Sequence, residues 1–312
     1  MLRYATRRLI GLIPVLLAAI ILTFAANQLI PGDPITIMLS DQSANKELAD
    51  RLRAQYGLTL PVWQQFVNYI LSILHGDFGL SFRFVGAHVV DVIWDGLMIS
   101  PVLALAATAL AVPTGVVVGI FAALRRNRRA DTAVILALVA GISIPNFAMA
   151  AYLVYLFSVK LAVLPVAGWG RLDQAVLPVL VLALQPAAQI GRLSRTYMLE
   201  VLGQDYIRTA RAKGLRERLV VYRHALRNTL VPLLTTIGII FGTLLSASFV
   251  IETIFNIPGL GRLAIQSVFA RDYPVTTAIV LLFTFFYTMV NLVVDLLYGL
   301  IDPRIRLGGG QS

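Results

Sequence analysis

Cysteine is absent from the 312 residues, which excludes a disulfide framework, thiolate metal sites and a cysteine nucleophile. Histidine is sparse: His75, His88 and His224 have no second histidine three or four residues away, and nothing in their spacing indicates a metal site. No stretch fits G-x-x-x-x-G-K-[ST], so the chain carries no phosphate-cradling loop of its own. Ser143 and Ser194 have no histidine within an apolar span to serve as base, so intramembrane hydrolysis fits poorly. Charge is thin as well, at 13% of residues.

Apolar sequence is what the chain has in quantity. Hydrophobic residues make up 58% and the mean hydropathy is +0.80, which excludes an ordinary water-soluble globule. A helix needs about 20 apolar residues to cross a hydrocarbon core of ~30 Å. Six segments qualify, roughly 9–29, 98–124, 132–157, 176–191, 230–251 and 275–300; the fourth is the shortest and is interrupted by Pro178 and Pro186. The first follows Arg3, Arg7 and Arg8, but it is too long for a signal-peptide core and lacks a small-residue cleavage pattern. It reads as a retained span. The expectation is an all-α membrane protein with six transmembrane helices. It divides into a tail and first helix (1–29), an outside segment (30–97), a core with a basic loop at 192–229 (98–301), and a C-terminal tail (302–312).

The positions of the charges give orientation. The loops 1–8, 125–131, 192–229 and 301–312 hold 18 of the 26 Lys/Arg, and the alternate loops hold 8. The basic set belongs on the cytoplasmic side, which places both termini inside. The net charge of +10 is then topology with some attraction to anionic lipid, and nucleic-acid binding is not indicated.

The outside segment predicts two helices. Lys46–Tyr56 carries Leu48, Leu52 and Tyr56 on one stripe before Gly57, and Pro61 opens a second with Trp63, Phe66, Val67, Ile70 and Leu74 before Gly76. About 65 residues is marginal for an independent core, so the segment should pack on its own membrane domain or on a partner. Prolines 14, 101, 113, 145, 178, 186 and 232 fall within or beside the spans, where they kink or break helices. Asp295 is an acid near the end of the last span; it reads either as an ion-coupling carboxylate or as the partner of a basic-loop arginine. Asn146, Gln185, Gln189, Ser246, Ser248 and Asn291 are candidates to line a hydrophilic passage, or equally to hydrogen-bond between helices.

The segment Asp205–Asn228 is a dense basic island with eight Lys/Arg, counting Arg192 just upstream, against Asp205 and Glu217. Asp205 is placed to cap a helix, Tyr206–Lys213 is helix-compatible and Gly214 suits the left-handed residue that ends it. A second helical period from Arg216 runs into the fifth span. The weak apolar stripe Tyr206, Ile207, Ala210 favours close approach by another protein over a helix pair resting on headgroups.

Thr209-Ala210-Arg211-Ala212-Lys213-Gly214-Leu215, then Arg223-His224-Ala225-Leu226-Arg227-Asn228 and Pro232, resembles the cytoplasmic EAA loop of ABC importer permeases, in the form of the dipeptide/oligopeptide/nickel group. Pro31-Gly32-Asp33-Pro34, Tyr56-Gly57-Leu58, His75-Gly76-Asp77-Phe78-Gly79, Glu252-Thr253-Ile254-Phe255, Arg271-Asp272-Tyr273-Pro274 and Asp302-Pro303-Arg304 extend the resemblance over almost the whole chain. The large outside segment is similar to the B-type subunit. The general pattern's Glu-Ala-Ala is replaced by Arg208, Thr209 and Ala210, a change usual for the peptide branch. The resemblance implies a type I importer fold and a heterodimer with a homologous C-type permease. It also implies two ATPase subunits that hold ATP and Mg, an extracytoplasmic binding protein, and no cofactor or metal on this chain. The coupling residues it implies are Asp205, Tyr206, Arg208, Thr209, Ala210, Arg211, Lys213, Gly214 and Leu215. Dipeptides lead as substrate, ahead of longer peptides and nickel chelates; an ion-coupled transporter using Asp295 is the reading from another class.

Overall fold

The computed structural model describes residues 2–30, 32–33, 35–36 and 46–301, with backbone only for residues 2–9, 295 and 297–301. Pro31, Pro34, the Asp302-Pro303-Arg304 motif, the 302–312 tail and the Asp295 side chain lie outside what is described. The regular secondary structure among the described residues is helical apart from one isolated antiparallel bridge, Leu80 with His88. The helices are α1 (Leu2–Leu29), α2 (Lys46–Gln55), α3 (Val62–Leu74), α4 (Val89–Leu97), α5 (Ile99–Leu124), α6 (Arg129–Ser143), α7 (Asn146–Leu153), α8 (Leu172–Leu202), α9 (Asp205–Ala212), α10 (Glu217–Leu219), α11 (Leu226–Ile254), α12 (Leu260–Phe269) and α13 (Tyr273–Ile301). Among the described residues five helices are long and apolar enough to cross a membrane, or six if α6 and the stretch from Asn146 to Lys160 form one broken span.

Two spans differ from the sequence expectation. The third is not continuous: α6 and the following helix meet at Ile144-Pro145 with a bend of 102°. Proline lacks the N–H that would continue the ladder, and the residue before it is pushed to extended backbone, as Ile144 is at φ −81°, ψ 121°. The fourth is longer than expected. α8 runs 31 residues through Pro178 and Pro186 and continues helically past Arg192 and Arg195 to Leu202. Its charged end stays helical because Gly191, Ser194 and Met198 keep a buried stripe facing the bundle. The loop expected from 192 therefore starts at Gly203.

The chain forms two compact units. In the unit of residues 101–257 with 2–8 and 287–301, α8 is the central helix, packed against α6, α7 and α11. Close seams are made by small residues. Gly115 and Gly119 of α5 approach α8 so closely that an added Cβ would lie 2.6 Å from the Ala187 carbonyl oxygen and 2.3 Å from that of Gly191. Gly238 and Gly242 of α11 instead make room for side chains of α13, where an added Cβ would meet Asn291 Oδ1 (2.8 Å) and the Tyr287 ring. Each pair has the G-x-x-x-G spacing that lets helix backbones approach in a membrane, where dispersion rather than water exclusion holds helices together.

The unit of residues 9–100 and 258–286 holds the segment after α1. α2 ends at the expected place, with Gly57 at φ +68° and the Leu58 N–H bonded to the Arg53 carbonyl. α4, α12 and the start of α13 enclose a core of Val89, Ile93, Leu260, Val275, Ala278 and Ile279. The fully buried Asp272 stitches the unit: it accepts from the Ser81 hydroxyl and from the Phe82 (3.1 Å) and Arg83 (3.2 Å) amides. Asp33 is clamped by both Arg53 nitrogens, Nε at 2.9 Å and Nη2 at 2.6 Å. Burial disfavours the Asp33 carboxylate, but bonds from Arg53, Thr36 and the Ile35 amide outweigh it and hold its pKa below 3.8. A lowered folded pKa contributes stability that is complete above the ordinary value and lost as the pH falls through the lower one. Protection factors of the α2 amides, which take out the intrinsic pH dependence of exchange, should therefore fall below about pH 4 relative to pH 6, and Arg53→Ala should abolish that fall.

Candidate functional site

The basic island folds as a helix, a glycine corner and a second helix. α9 is preceded by Gln204 in extended backbone, so Asp205 is its first helical residue and not the expected cap. There the Asp205 carbonyl accepts the Thr209 hydroxyl at 3.0 Å, and its side chain lies 3.5 Å from Arg208. The acid still sits at the positive end of the helix. At the other end Gly214 is left-handed, φ +74°. The Gly214 N–H reaches the Arg211 carbonyl (2.9 Å) and the Leu215 N–H reaches that of Ala210 (3.4 Å), the paired bonds of a Schellman end. No atom lies within 4 Å of an added Cβ at Gly214, so the corner needs glycine for its backbone, not for space.

Two side-chain links fix the corner. Arg211 grips Glu217 with two bonds, 3.1 and 2.7 Å, and Asn228 of α11 donates to the Tyr206 hydroxyl at 3.0 Å. On its inner face α9 buries Ile207 and Ala210 in a cluster with Ile120, Ala123, Met198, Val220, Val221 and Ala225. That stripe, expected to meet a partner, is occupied by the chain's own bundle. Asp205, Tyr206, Arg208, Thr209, Arg211, Lys213 and Gly214 remain exposed, as do Arg216, Arg218, Arg223 and Arg227, with Leu215 half-buried. The outer surface is strongly basic, and its inner face is an apolar seat.

Between α10 and α11 the helix passes through a π-helical stretch, Val220–Ala225, with Val220, Val221 and Ala225 buried under α9. Such stretches carry an extra residue and occur often at functional sites. Next to the seat, Arg195 of α8 makes a two-pronged bond to Asp131 of α6, 2.7 and 2.8 Å, and Asp131 also accepts the Asn127 amide at 3.0 Å. The Asp131 side chain is only 3% exposed.

The six polar candidates are not gathered in one place. Gln185 donates to the Ile142 carbonyl at 3.1 Å, one of the acceptors left open where α6 breaks before Pro145. Asn146, half-buried, starts the helix after the break. Gln189 and Ser246 are exposed. Ser248 is fully buried and bonds the Leu245 carbonyl, while Asn291 bonds the Tyr287 carbonyl beside the Gly238 seam. In the other unit, a cavity of about 560 Å³ is lined by Asn27, Gln65, Asn68, Tyr69 and Tyr273 among others. Asp33 lines it too but is neutralised by Arg53, so the polar part of the lining is amides and hydroxyls, set beside apolar Phe24, Ile30, Leu58, Phe78 and Phe82. The G-x-x-x-G seams and the Arg195–Asp131 pair escaped the sequence reading. The glycine spacing was legible; the ion pair joins residues 64 apart and was not.

The family model described as "Binding-protein-dependent transport system inner membrane component" matches residues 115–307, and its N-terminal companion, "Binding-prot-dependent transport system membrane comp, N-term", matches residues 1–92. The "Glutathione transport system permease protein GsiC" of Shigella flexneri serotype 5b is 42% identical over 98% of this chain and 99% of its own. The GsiC of Escherichia coli K12 matches at the same identity and coverage. Among solved structures, a chain of the MetNI methionine ABC transporter in an inward-facing form superposes with a TM-score of 0.58 at 19% identity, over 68% of this chain and 96% of that one. A chain of an amino acid ABC transporter gives 0.50 at 18%, over 67% and 93%. At such identities these two support the fold, which is that of type I ABC importer permeases. The chain belongs to the binding-protein-dependent transport system inner membrane component family, and is a multi-pass permease subunit of an ABC importer of the peptide/oligopeptide group.

Proposed function

We propose that this permease imports short peptides, and that the α9 corner couples it to ATPase subunits. One observation carries the coupling reading: α9 presents an exposed basic surface while its apolar face is fixed to α5, α8 and α11 of the bundle. A push on α9 is therefore delivered to the transmembrane helices and not absorbed by a loose loop. With no phosphate-cradling loop in the chain, ATP and Mg²⁺ belong on two partner ATPases, whose closure would draw this α9 and that of a C-type permease together. ATP drives transport only by its differential affinity for the inward- and outward-facing states. The 18-to-8 division of Lys/Arg favours cytoplasmic termini and a cytoplasmic α9. An extracytoplasmic binding protein then delivers the solute to the opposite side. Asn146, Gln185, Gln189, Ser246 and Asn291, with Ser248 deeper in the packing, are the proposed polar positions along the path.

The substrate reading rests on the peptide-branch form of the basic loop and on the glutathione permeases to which the chain is similar. Vesicles holding the permease pair, the ATPases and the cognate binding protein should show ATP-dependent uptake of dipeptides or glutathione above that of a nickel chelate. Uptake of the chelate alone would overturn the peptide assignment. For the coupling reading, Gly214→Val forces a β-branched residue into left-handed backbone at a cost of about 1–2 kcal/mol, which the corner can relieve by re-angling α9. The variant should hydrolyse ATP in those vesicles yet transport poorly; uptake per ATP equal to the wild type would refute it.

A further inference from the structure

We infer that α3 is a lipid-immersed helix of the membrane interface, not part of a water-facing subdomain or of the surface that receives a protein. The sequence between Arg53 and Asp77 contains no Asp, Glu, Lys or Arg, a run of 23 residues in a segment otherwise supplied with charge. Within it α3 has two apolar faces. The inner one is packed: the Phe66 and Tyr69 rings lie 5.1 and 6.5 Å from the ring of Phe24 in α1. The other carries Trp63, Val67, Leu71 and Leu74 at spacings of four, four and three, a single stripe, with exposures of 65, 44, 50 and 75%.

What covers that stripe follows from where α3 sits. Phe24 is inside the apolar span Ile10–Leu29, five residues before its end. At 1.5 Å per residue, α3 is held roughly 8 Å inward of the end of α1, within the depth at which interfacial helices bury their apolar face. The same side of α1 is apolar and exposed as well at Ile21 (46%), three residues before Phe24, so the stripe adjoins a lipid-facing surface. A tryptophan at one end of an uncharged helix suits the headgroup boundary. The occupant is the acyl-chain edge of one leaflet, the outer one for cytoplasmic termini.

Absence of native cysteine makes a direct test clean. Val67→Cys, Leu71→Cys and Leu74→Cys, each spin-labelled in the assembled transporter with cysteine-free partner subunits, are reconstituted in phosphatidylcholine bilayers. Collisions with oxygen, which concentrates in lipid, should exceed those with water-soluble chromium oxalate at all three positions, and the order should reverse at the exposed control Arg51→Cys on α2. Oxalate exceeding oxygen at the α3 positions would overturn the inference. Low collision rates with both would overturn it equally, since another protein then covers the stripe. Should labelling disturb folding, the full chain carrying Trp94→Phe and Trp169→Phe leaves Trp63 as its one tryptophan. Its fluorescence should be quenched by lipids brominated near the headgroup; quenching by aqueous iodide instead would sink the proposal.

Discussion

Replacing Gly119 by leucine should cost this permease about 3 kcal/mol or more of stability, because the new side chain has nowhere to go. Even a lone Cβ would stand 2.3 Å from the Gly191 carbonyl oxygen, 2.6 Å from Ser194 Cβ and 3.0 Å from the Arg195 nitrogen. Two of those three neighbours are backbone of α8, the helix on which α6, α7 and α11 also pack, so relief requires moving the centre of the bundle. At about 2–4 °C per kcal/mol for a domain of this size, the melting temperature in detergent should fall by roughly 10 °C, with loss of folded protein in membranes. Gly11→Ala is the matched control, since no atom lies within 4 Å of its added Cβ. A melting temperature for Gly119→Leu within about 2 °C of the wild type would show that α5 and α8 are not held as described.

Arg195→Ala should be comparably severe for a different reason. Among the described residues it leaves the Asp131 carboxylate, 3% exposed, with the Asn127 amide as its one hydrogen-bond donor. Breaking one side of a buried ion pair costs about 3–5 kcal/mol, most of it the stranded charge. Asp131→Asn combined with Arg195→Gln removes both charges at once, so the double variant should melt well above Arg195→Ala alone. If the double variant is no better than the single one, the pair's role is in packing and not in charge balance. Because the pair joins α6 to the end of α8 beside the α9 seat, its loss should also weaken ATP-stimulated uptake more than the stability change alone predicts.

Much of this architecture was legible in the sequence, and the parts that were not share a cause. Long apolar runs, charge asymmetry, Gly57 and Gly214 act locally, so the helices, the membrane class and the corner at residue 214 could be read directly. Boundaries failed where packing overrides composition. α8 carries Arg192 and Arg195 yet stays helical, because Gly191, Ser194 and Met198 face the bundle. Pro145 breaks its span while Pro178 and Pro186 do not, a difference decided by surroundings and not by proline itself. The stripe Ile207–Ala210 was visible, but its occupant was not; small residues pack as closely on their own bundle as on a partner. The polar candidates illustrate the same limit, since an amide such as Gln185 reads alike whether it meets solute or caps the Ile142 carbonyl.

The π-helical stretch Val220–Ala225 makes the aim of the coupling surface a matter of phase. A regular α-helix turns 100° per residue, so deleting one residue there would restore ordinary winding and rotate everything before it about α11 by a little over a quarter turn. The basic face of α9 would then point sideways with its chemistry intact. The heading of α9 is therefore set by residue count as much as by residue identity, and two chains with the same basic loop but a one-residue difference in this stretch would present it in different directions.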